Sequence, residues 1–203
     1  MRLKEYKFFI YSDLYRITGK FSACNFIRYL FIGEGYEYLF WMRTCAYLYA
    51  NRFFKYSIFL IARIILNHYS YKLGISIPFR TKIGRGFYIG HFGGIVVNVR
   101  SKIGKNCNIS HAVTIGESNR GKRKGFPSIG DNVFIGPGAR VIGNIKIGNN
   151  VSIGANAVVT NDVPDNAVVV GIPGKIISFD GSVSYINRID YWFSLFMMEI
   201  FSC

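Results

Sequence analysis

The chain has 203 residues, half of them apolar and 17% aromatic, so it can bury a core and is not a disordered chain. Its 25 Lys and Arg against 11 Asp and Glu give a formal net charge of +14, which indicates an anionic partner such as phospholipid, phosphorylated small molecule or nucleic acid. Four scattered cysteines form no C-x-x-C pair, which excludes a disulfide framework or a zinc motif and suits a reduced, cytoplasmic protein. The N-terminus is not a secretory signal, because charge recurs before any long apolar run.

Residues 1–74 are predicted to form several helices, since they are rich in aromatic, aliphatic and basic residues and contain no proline. The most apolar part is 39–66, but basic residues interrupt it, so no uncharged stretch reaches the roughly 18 residues that a membrane span needs. Two interpretations stay open. The helices pack on each other and on a neighbouring subunit, or residues 39–66 make a peripheral contact with the inner face of the cell membrane.

A six-residue period organises the second half of the chain. An aliphatic residue, usually followed by glycine, recurs at Ile129, Ile135, Val141, Ile147, Ile153 and Val159. This period fits neither the 3.6 residues of a helix nor the 2 of a free strand. It fits coils with flat faces, in which each face is a short strand and the aliphatic residue points inward. The sequence therefore predicts a mainly β fold, a parallel β-helix.

The same period begins at Ile83 and is broken twice before residue 129. It slips by two residues after Ile95, and residues 117–127 add eight residues to one repeat. This second break holds four cations and two glycines, which is typical of an exposed loop. We therefore divide the chain into a helical segment 1–74, a β-helix domain 75–177 with loop 117–128, and an aromatic tail 178–203. A capping helix is one interpretation of that tail.

Three features are not needed by the repeat and are therefore candidates for chemistry. His91 lies at the first slip between glycines, and an imidazole is a natural general base for an alcohol. His111 lies in regular repeat, where a coil-surface or interface histidine is expected. Arg120, Lys122 and Arg123 belong to the loop, which is either a solvated excursion or an arm that attracts phosphate or an anionic glycan. Nucleic acid is disfavoured, because no known binding module accompanies these cations.

Several motifs resemble the serine acetyltransferase branch of the hexapeptide-repeat acyltransferases. They are Lys82-Ile83-Gly84-Arg85-Gly86, Ile89-Gly90-His91, Gly94-Ile95-Val96-Val97, Val113-Thr114-Ile115-Gly116, Ile135-Gly136-Pro137-Gly138-Ala139 and Gly171-Ile172-Pro173-Gly174-Lys175. The resemblance covers about residues 74–177 and is closest to the shorter members associated with surface-polysaccharide synthesis. It implies a left-handed β-helix, a homotrimer with active sites between subunits, and transfer of acetyl from acetyl-CoA to a hydroxyl without a metal.

The resemblance also implies roles for particular residues. It makes His91 the general base, places oxyanion-stabilising N–H groups near Gly116, and leaves either Glu117 or a backbone carbonyl to orient the histidine. The contacts with the pantetheine and phosphates of CoA would come from the C-terminal coils, at Pro137, Ala155, Thr160, Asn161 and Lys175.

The chain departs from serine acetyltransferases at three places that handle the acceptor. Gly90 stands where they have Asp, Gly125-Phe126 where they have Arg-His, and Ser76 where they have a second Asp. The charged groups of an amino acid would then lack partners. We therefore expect the acceptor to be a sugar hydroxyl of a surface polysaccharide or its precursor, bound near the loop cations. Serine O-acetyltransferase and a non-catalytic, membrane-associated trimeric scaffold are the alternatives.

Overall fold

The computed structural model describes residues 2–20, 22–33, 35–51 and 58–191. Its first part is helical, as predicted, with α1 (Leu3–Thr18), α2 (Ala23–Ile32), α3 (Tyr36–Ala50) and α4 (Ile58–Leu73). Ser22 caps α2 by accepting the Asn25 N–H at 3.1 Å, and Gly19 ends α1 in the left-handed conformation (φ 70°). Within these ranges, no helix has both the length and the apolar character that a membrane span requires.

The second part is a left-handed parallel β-helix, which confirms the fold predicted from the period. Sheet A contains β1 (Ile75–Ser76), β4 (Ile95–Val97), β7 (Thr114–Gly116), β10 (Arg140–Ile142) and β13 (Val158–Val159). Sheet B contains β2 (Lys82–Ile83), β5 (Lys102–Ile103), β8 (Ser128–Ile129) and β11 (Lys146–Ile147). Sheet C contains β3 (Tyr88–Ile89), β6 (Asn108–Ile109), β9 (Phe134–Ile135), β12 (Ser152–Ile153), β14 (Val168–Val170) and the antiparallel β15 (Lys175–Ser178).

Each coil crosses sheets A, B and C in turn, so the sheets meet at three corners. The AB corner holds 98–101, the loop and 143–145, the BC corner holds 104–107 and 130–133, and the CA corner holds 90–94 and 110–113. A regular coil has eighteen residues, as the in-register pairing of Ile135 with Ile153 shows. The inward aliphatic residues are buried and form one continuous core from the first coil to the last.

An asparagine ladder lines the BC corner. Asn106, Asn132, Asn150 and Asn166 all adopt the left-handed conformation, with φ between 55° and 61°. The side-chain amide of each of the first three donates to the side-chain oxygen of the next, at 3.0 to 3.1 Å. Asparagine tolerates positive φ better than other non-glycine residues, so it suits this turn in every coil.

The helical segment is fixed to the first coil by a buried ion pair between Asp13 on α1 and Arg43 on α3. Arg43 Nε lies 3.0 Å from an Asp13 carboxylate oxygen, and its other nitrogens donate to the carbonyls of Ile83 and Gly84. The same carboxylate accepts the Phe87 N–H at 2.8 Å. Two helices and one coil therefore share a single polar centre.

The three faces of the β-helix differ in what covers them. Sheet C lies under α1 and the chain after β15, where the Tyr185 ring stacks on Phe134 with centroids 4.2 Å apart. Sheet B presents lysines. Sheet A presents a mixed face of Ser76, Val96, Thr114, Arg140 and Val158, on which Val96 is 48% exposed. Residues 179–190 form turns and irregular chain without a helix, and the rest of the tail for which a capping helix is one interpretation, 192–203, lies outside the described residues. The division at 74 and 177 stays a prediction.

Candidate active site

His91 and His111 lie one above the other at the CA corner, in consecutive coils. Both side chains are exposed, and their ring centroids are 6.0 Å apart. The backbone sets this arrangement, because the Gly90 N–H donates to the Ile109 carbonyl at 2.9 Å and the Ala112 N–H to the Gly93 carbonyl at 2.7 Å. Gly93 has φ +103°, which disfavours a side chain at that residue. An imidazole here is reachable by a hydroxyl substrate.

Within the described part of the chain, no side-chain hydrogen bond or ion pair joins His91 to a carboxylate. Gly116 ends β7 and Glu117 follows it, so both lie at the AB corner, across sheet A from His91. A three-residue strand spans roughly 10 Å. Within one chain, His91 is therefore separated from Gly116 and Glu117 by the width of sheet A. The described residues also include no group of three or more His, Cys, Asp or Glu placed to hold a metal.

The loop after β7 is folded against the AB corner. Ser118 and Gly125 exchange two backbone hydrogen bonds of 3.0 and 2.9 Å, and the Arg123 carbonyl accepts the Asn144 N–H at 2.8 Å. The Arg123 guanidinium lies 3.1 Å from Asp162, whose pKa is lowered mainly by the Lys146 N–H that its carboxylate accepts and then by Arg123. Arg123 is thus already paired.

Arg120 and Lys122 are exposed at the turn of the same loop. Neither forms an ion pair with any residue that the structure describes. Of the three loop cations that the sequence singles out, these two remain able to bind an anion from solution.

A cleft of about 940 Å³ runs along the CA edge of sheet C. Pro137 and Ala155, predicted to contact CoA, both line it, together with Gly136 and Gly154. The opposite wall is residues 180–185, which the sequence analysis did not assign to any site. Small residues on one wall leave room for a flat, extended ligand close to the backbone.

The other three predicted CoA contacts lie elsewhere in the chain. Thr160 and Asn161 are exposed at the AB corner, beside Asp162, and Lys175 begins β15. The eighteen-residue length of a coil could have separated the predicted contacts into two groups. Pro137 and Ala155 are one coil apart and so share a corner, whereas Thr160 lies five residues after Ala155, at the next corner. The sequence therefore grouped residues from two corners that one chain keeps apart.

Known proteins resemble this chain in both sequence and structure. Residues 126–161 match the family described as bacterial transferase hexapeptide (six repeats). The serine acetyltransferase of Staphylococcus xylosus is 43% identical over 136 residues, which are 67% of this chain and 63% of that protein. The chain thus spans less than two thirds of the length of that curated relative.

Two solved structures share the fold. Neisseria gonorrhoeae serine acetyltransferase in complex with serine superposes with a TM-score of 0.71 and 31% identity, covering 87% of this chain and 70% of that one. A serine acetyltransferase in complex with CoA gives a TM-score of 0.70 and 30% identity, covering 86% and 71% of the two chains.

These relatives correct the acceptor that the sequence analysis favoured. The prediction of a surface-polysaccharide sugar is wrong, because the relatives at 42–43% identity and the structural neighbours are named serine acetyltransferases. The prediction gave decisive weight to the uncharged Gly90, Gly125 and Phe126. It assumed that only those positions could meet the charges of an amino acid.

Proposed function

The chain belongs to the hexapeptide-repeat acyltransferases of serine acetyltransferase type, and from that membership we propose that it transfers acetyl from acetyl-CoA to the hydroxyl of serine. The observation that carries this proposal is the 43% identity to a serine acetyltransferase over two thirds of the chain. The neighbour in complex with serine and the neighbour in complex with CoA support the two substrates.

In this proposal His91 is the general base. Its imidazole takes the proton of the serine hydroxyl while the hydroxyl oxygen attacks the thioester carbonyl carbon. The tetrahedral intermediate collapses by breaking the carbon–sulfur bond, and the CoA thiolate takes the proton back from His91. An exposed imidazole flanked by glycines suits this role, because both substrates must approach it.

The rest of the site would come from a neighbouring copy. Gly116 and Glu117 lie across sheet A from His91, as do the loop cations, so one chain cannot place them around the reacting carbonyl. A homotrimer in which the CA corner of one copy faces the AB corner of the next would unite them. Backbone N–H groups near Gly116 would then stabilise the oxyanion, commonly worth about 3–4 kcal/mol per donor.

Serine also needs partners for its carboxylate and ammonium groups. Arg120 and Lys122 are two loop cations without an ion pair among the described residues, and we assign the carboxylate to them. Glu117 is half-buried next to them and would meet the ammonium group. In this arrangement the loop replaces the charges that Gly90 and Phe126 cannot provide.

The CoA moiety would lie in the 940 Å³ cleft beside Pro137 and Ala155. Thr160 and Asn161 would contact it only where they belong to the copy facing that cleft, whereas Lys175 pairs with Val170, which lines the cleft of its own chain. The net charge of +14 would favour the approach of its phosphates.

The direct test is an assay of the full chain with acetyl-CoA and L-serine, following thiol release and identifying O-acetylserine by mass spectrometry. Ethanolamine, which has the same hydroxyl and ammonium groups but no carboxylate, is the matched control acceptor. We expect turnover with L-serine and much weaker turnover with ethanolamine. Acetyl-CoA that is left intact in the presence of serine would refute the proposal.

We also propose that α4, and not the whole of 39–66, makes a peripheral membrane contact. Leu39, Met42 and Leu48 are buried in the core, whereas Ile61 and Ile64 on α4 are 60% and 69% exposed. Flotation with anionic liposomes tests this. Ile61→Ser/Ile64→Ser should reduce the bound fraction, and wild-type protein that never floats would exclude the contact.

A further inference from the structure

A second cleft lies on the AB side of the first two coils, under the C-terminal half of α3. Its volume is about 730 Å³, within the range of small-molecule sites, and His91, His111, Pro137 and Ala155 do not line it. The apolar wall comes from α1, α3 and the first coil. The residues of this wall are Phe9, Met42, Ala46, Ala50 and Phe79.

Four cations line the other side of this cleft: Arg43, Arg80, Lys82 and Lys102. Arg43 is neutralised by Asp13. Among the residues that the structure describes, Arg80 and the two lysines have no acidic partner within ion-pair distance. The cleft therefore carries three uncompensated positive charges beside an apolar wall.

The two lysines are held side by side by the fold. Lys82 and Lys102 are direct partners on the parallel strands β2 and β5, which lie about 4.8 Å apart. Like charges at directly opposite positions of a sheet repel each other. An anion bound between them would relieve that repulsion.

Arg80 is fixed in place by aromatic side chains. Its guanidinium lies 4.4 Å from the Tyr49 ring centroid and 5.7 Å from that of Phe79, and it donates to the Tyr49 hydroxyl at 2.5 Å. A guanidinium has five N–H donors, so this arrangement leaves others for a ligand.

We infer that this cleft binds a small phosphate monoester, with the phosphate held by Arg80, Lys82 and Lys102. The organic part packs against Phe9, Met42 and Ala46. Three cations favour a doubly charged phosphate over a singly charged carboxylate. The site is separate from the acetyl-transfer site and does not depend on the function proposed for it.

Phenyl phosphate is the probe, measured by calorimetry on the full chain at low salt. We expect saturable binding, and Lys82→Gln and Lys102→Gln should each weaken it about tenfold, because each removes a charge-assisted hydrogen bond. The matched control is Lys146→Gln, an identical change on sheet B outside the cleft. It should bind like the wild-type protein. Circular dichroism of each variant without ligand checks that the fold is intact.

Three companion titrations give the outcomes that would overturn the inference. If inorganic phosphate binds as tightly as phenyl phosphate, the apolar wall has no role in binding. If benzoate binds as tightly, the second negative charge of the phosphate has no role. Displacement of phenyl phosphate by saturating CoA would assign the phosphate to the acetyl-donor site. Unchanged affinity in both lysine variants would exclude the cleft.

Discussion

Among the described residues, the backbone around His91, and no hydrogen-bonded or ion-paired side chain, sets its position. Ile89 and Val97 are eight residues apart, whereas their partners Ile109 and Ile115 in the next coil are six apart, so the coil with His91 has two extra residues at the CA corner. Gly93 and Gly94 adopt φ values of +103° and +67° there. A Cβ on Gly94 would lie 3.3 Å from Ala112 of the next coil. The glycines thus allow the wider corner that displays the imidazole, which is what the slip in the repeat indicated.

Replacing His91 separates its role from that of His111. His91→Asn should lower kcat by roughly 10²–10⁴-fold with serine and acetyl-CoA, because it removes general-base catalysis. The melting temperature should hardly change, since the side chain is exposed. His111→Asn is the matched control and should retain most activity. The reverse pattern in steady-state kinetics would make His111 the base.

Among the elements, the helical segment depends on the Asp13–Arg43 pair. Asp13→Asn should destabilise the protein by about 3–5 kcal/mol, because Arg43 would keep a buried charge without its partner. Chemical denaturation monitored by circular dichroism measures this.

The control is Asp162→Asn, which breaks the exposed pair with Arg123 and should cost less than about 1 kcal/mol. Equal losses of unfolding free energy in the two variants would show that the buried Asp13–Arg43 pair matters no more for stability than the exposed pair.

The asparagine ladder makes a separate prediction for the β-helix. Asn150→Ala should cost about 2 kcal/mol, since alanine disfavours positive φ and loses two side-chain hydrogen bonds. Asn150→Gly should cost less, because glycine adopts this conformation freely. The comparison is made by denaturation. Equal costs for the two variants would mean that the backbone conformation adds nothing to the ladder.

The sequence predicted the β-helix but neither the conformation of residues 179–191 nor the arrangement of the site, and the reason is physical. In a solenoid each repeat packs on its neighbours, so the six-residue period was enough to predict the β-helix. Residues 179–191 contact sheet C through single pairs such as Tyr185 on Phe134, which leave no period in the sequence. The site also depends on which corner a residue occupies. That requires counting whole coils, which puts Pro137 and Ala155 at the CA corner but Thr160 and Asn161 at the AB corner.

On the scale of the whole molecule, sheet A is the face that suits a second copy. Sheet C is covered and sheet B presents a row of lysines. Sheet A is uncovered, carries Val96 and Val158 beside Thr114 and Arg140, and lies between the CA corner with His91 and the AB corner with the loop. An interface beside sheet A would bury Val96 and unite the two halves of the site.

Light scattering should therefore find a mass of three 23.1 kDa chains. Val96→Glu should yield smaller species and lose activity, because it places a charge in an apolar contact. Lys146→Glu, on sheet B, is the matched control and should remain trimeric and active. A monomeric wild-type protein with full activity would contradict the shared site.

The asparagine ladder also bears on where this chain can change its length. One extra residue at the BC corner would take an asparagine out of the column and break two of its hydrogen bonds. The other two corners already accommodate extra residues: the CA corner contains a two-residue insertion, and the AB corner contains the loop. Engineered insertions, such as an epitope or a reporter domain, should therefore leave the fold intact at the tip of that loop near Lys122, although they would separate the cations assigned to serine. The BC corner should reject even the shortest of them.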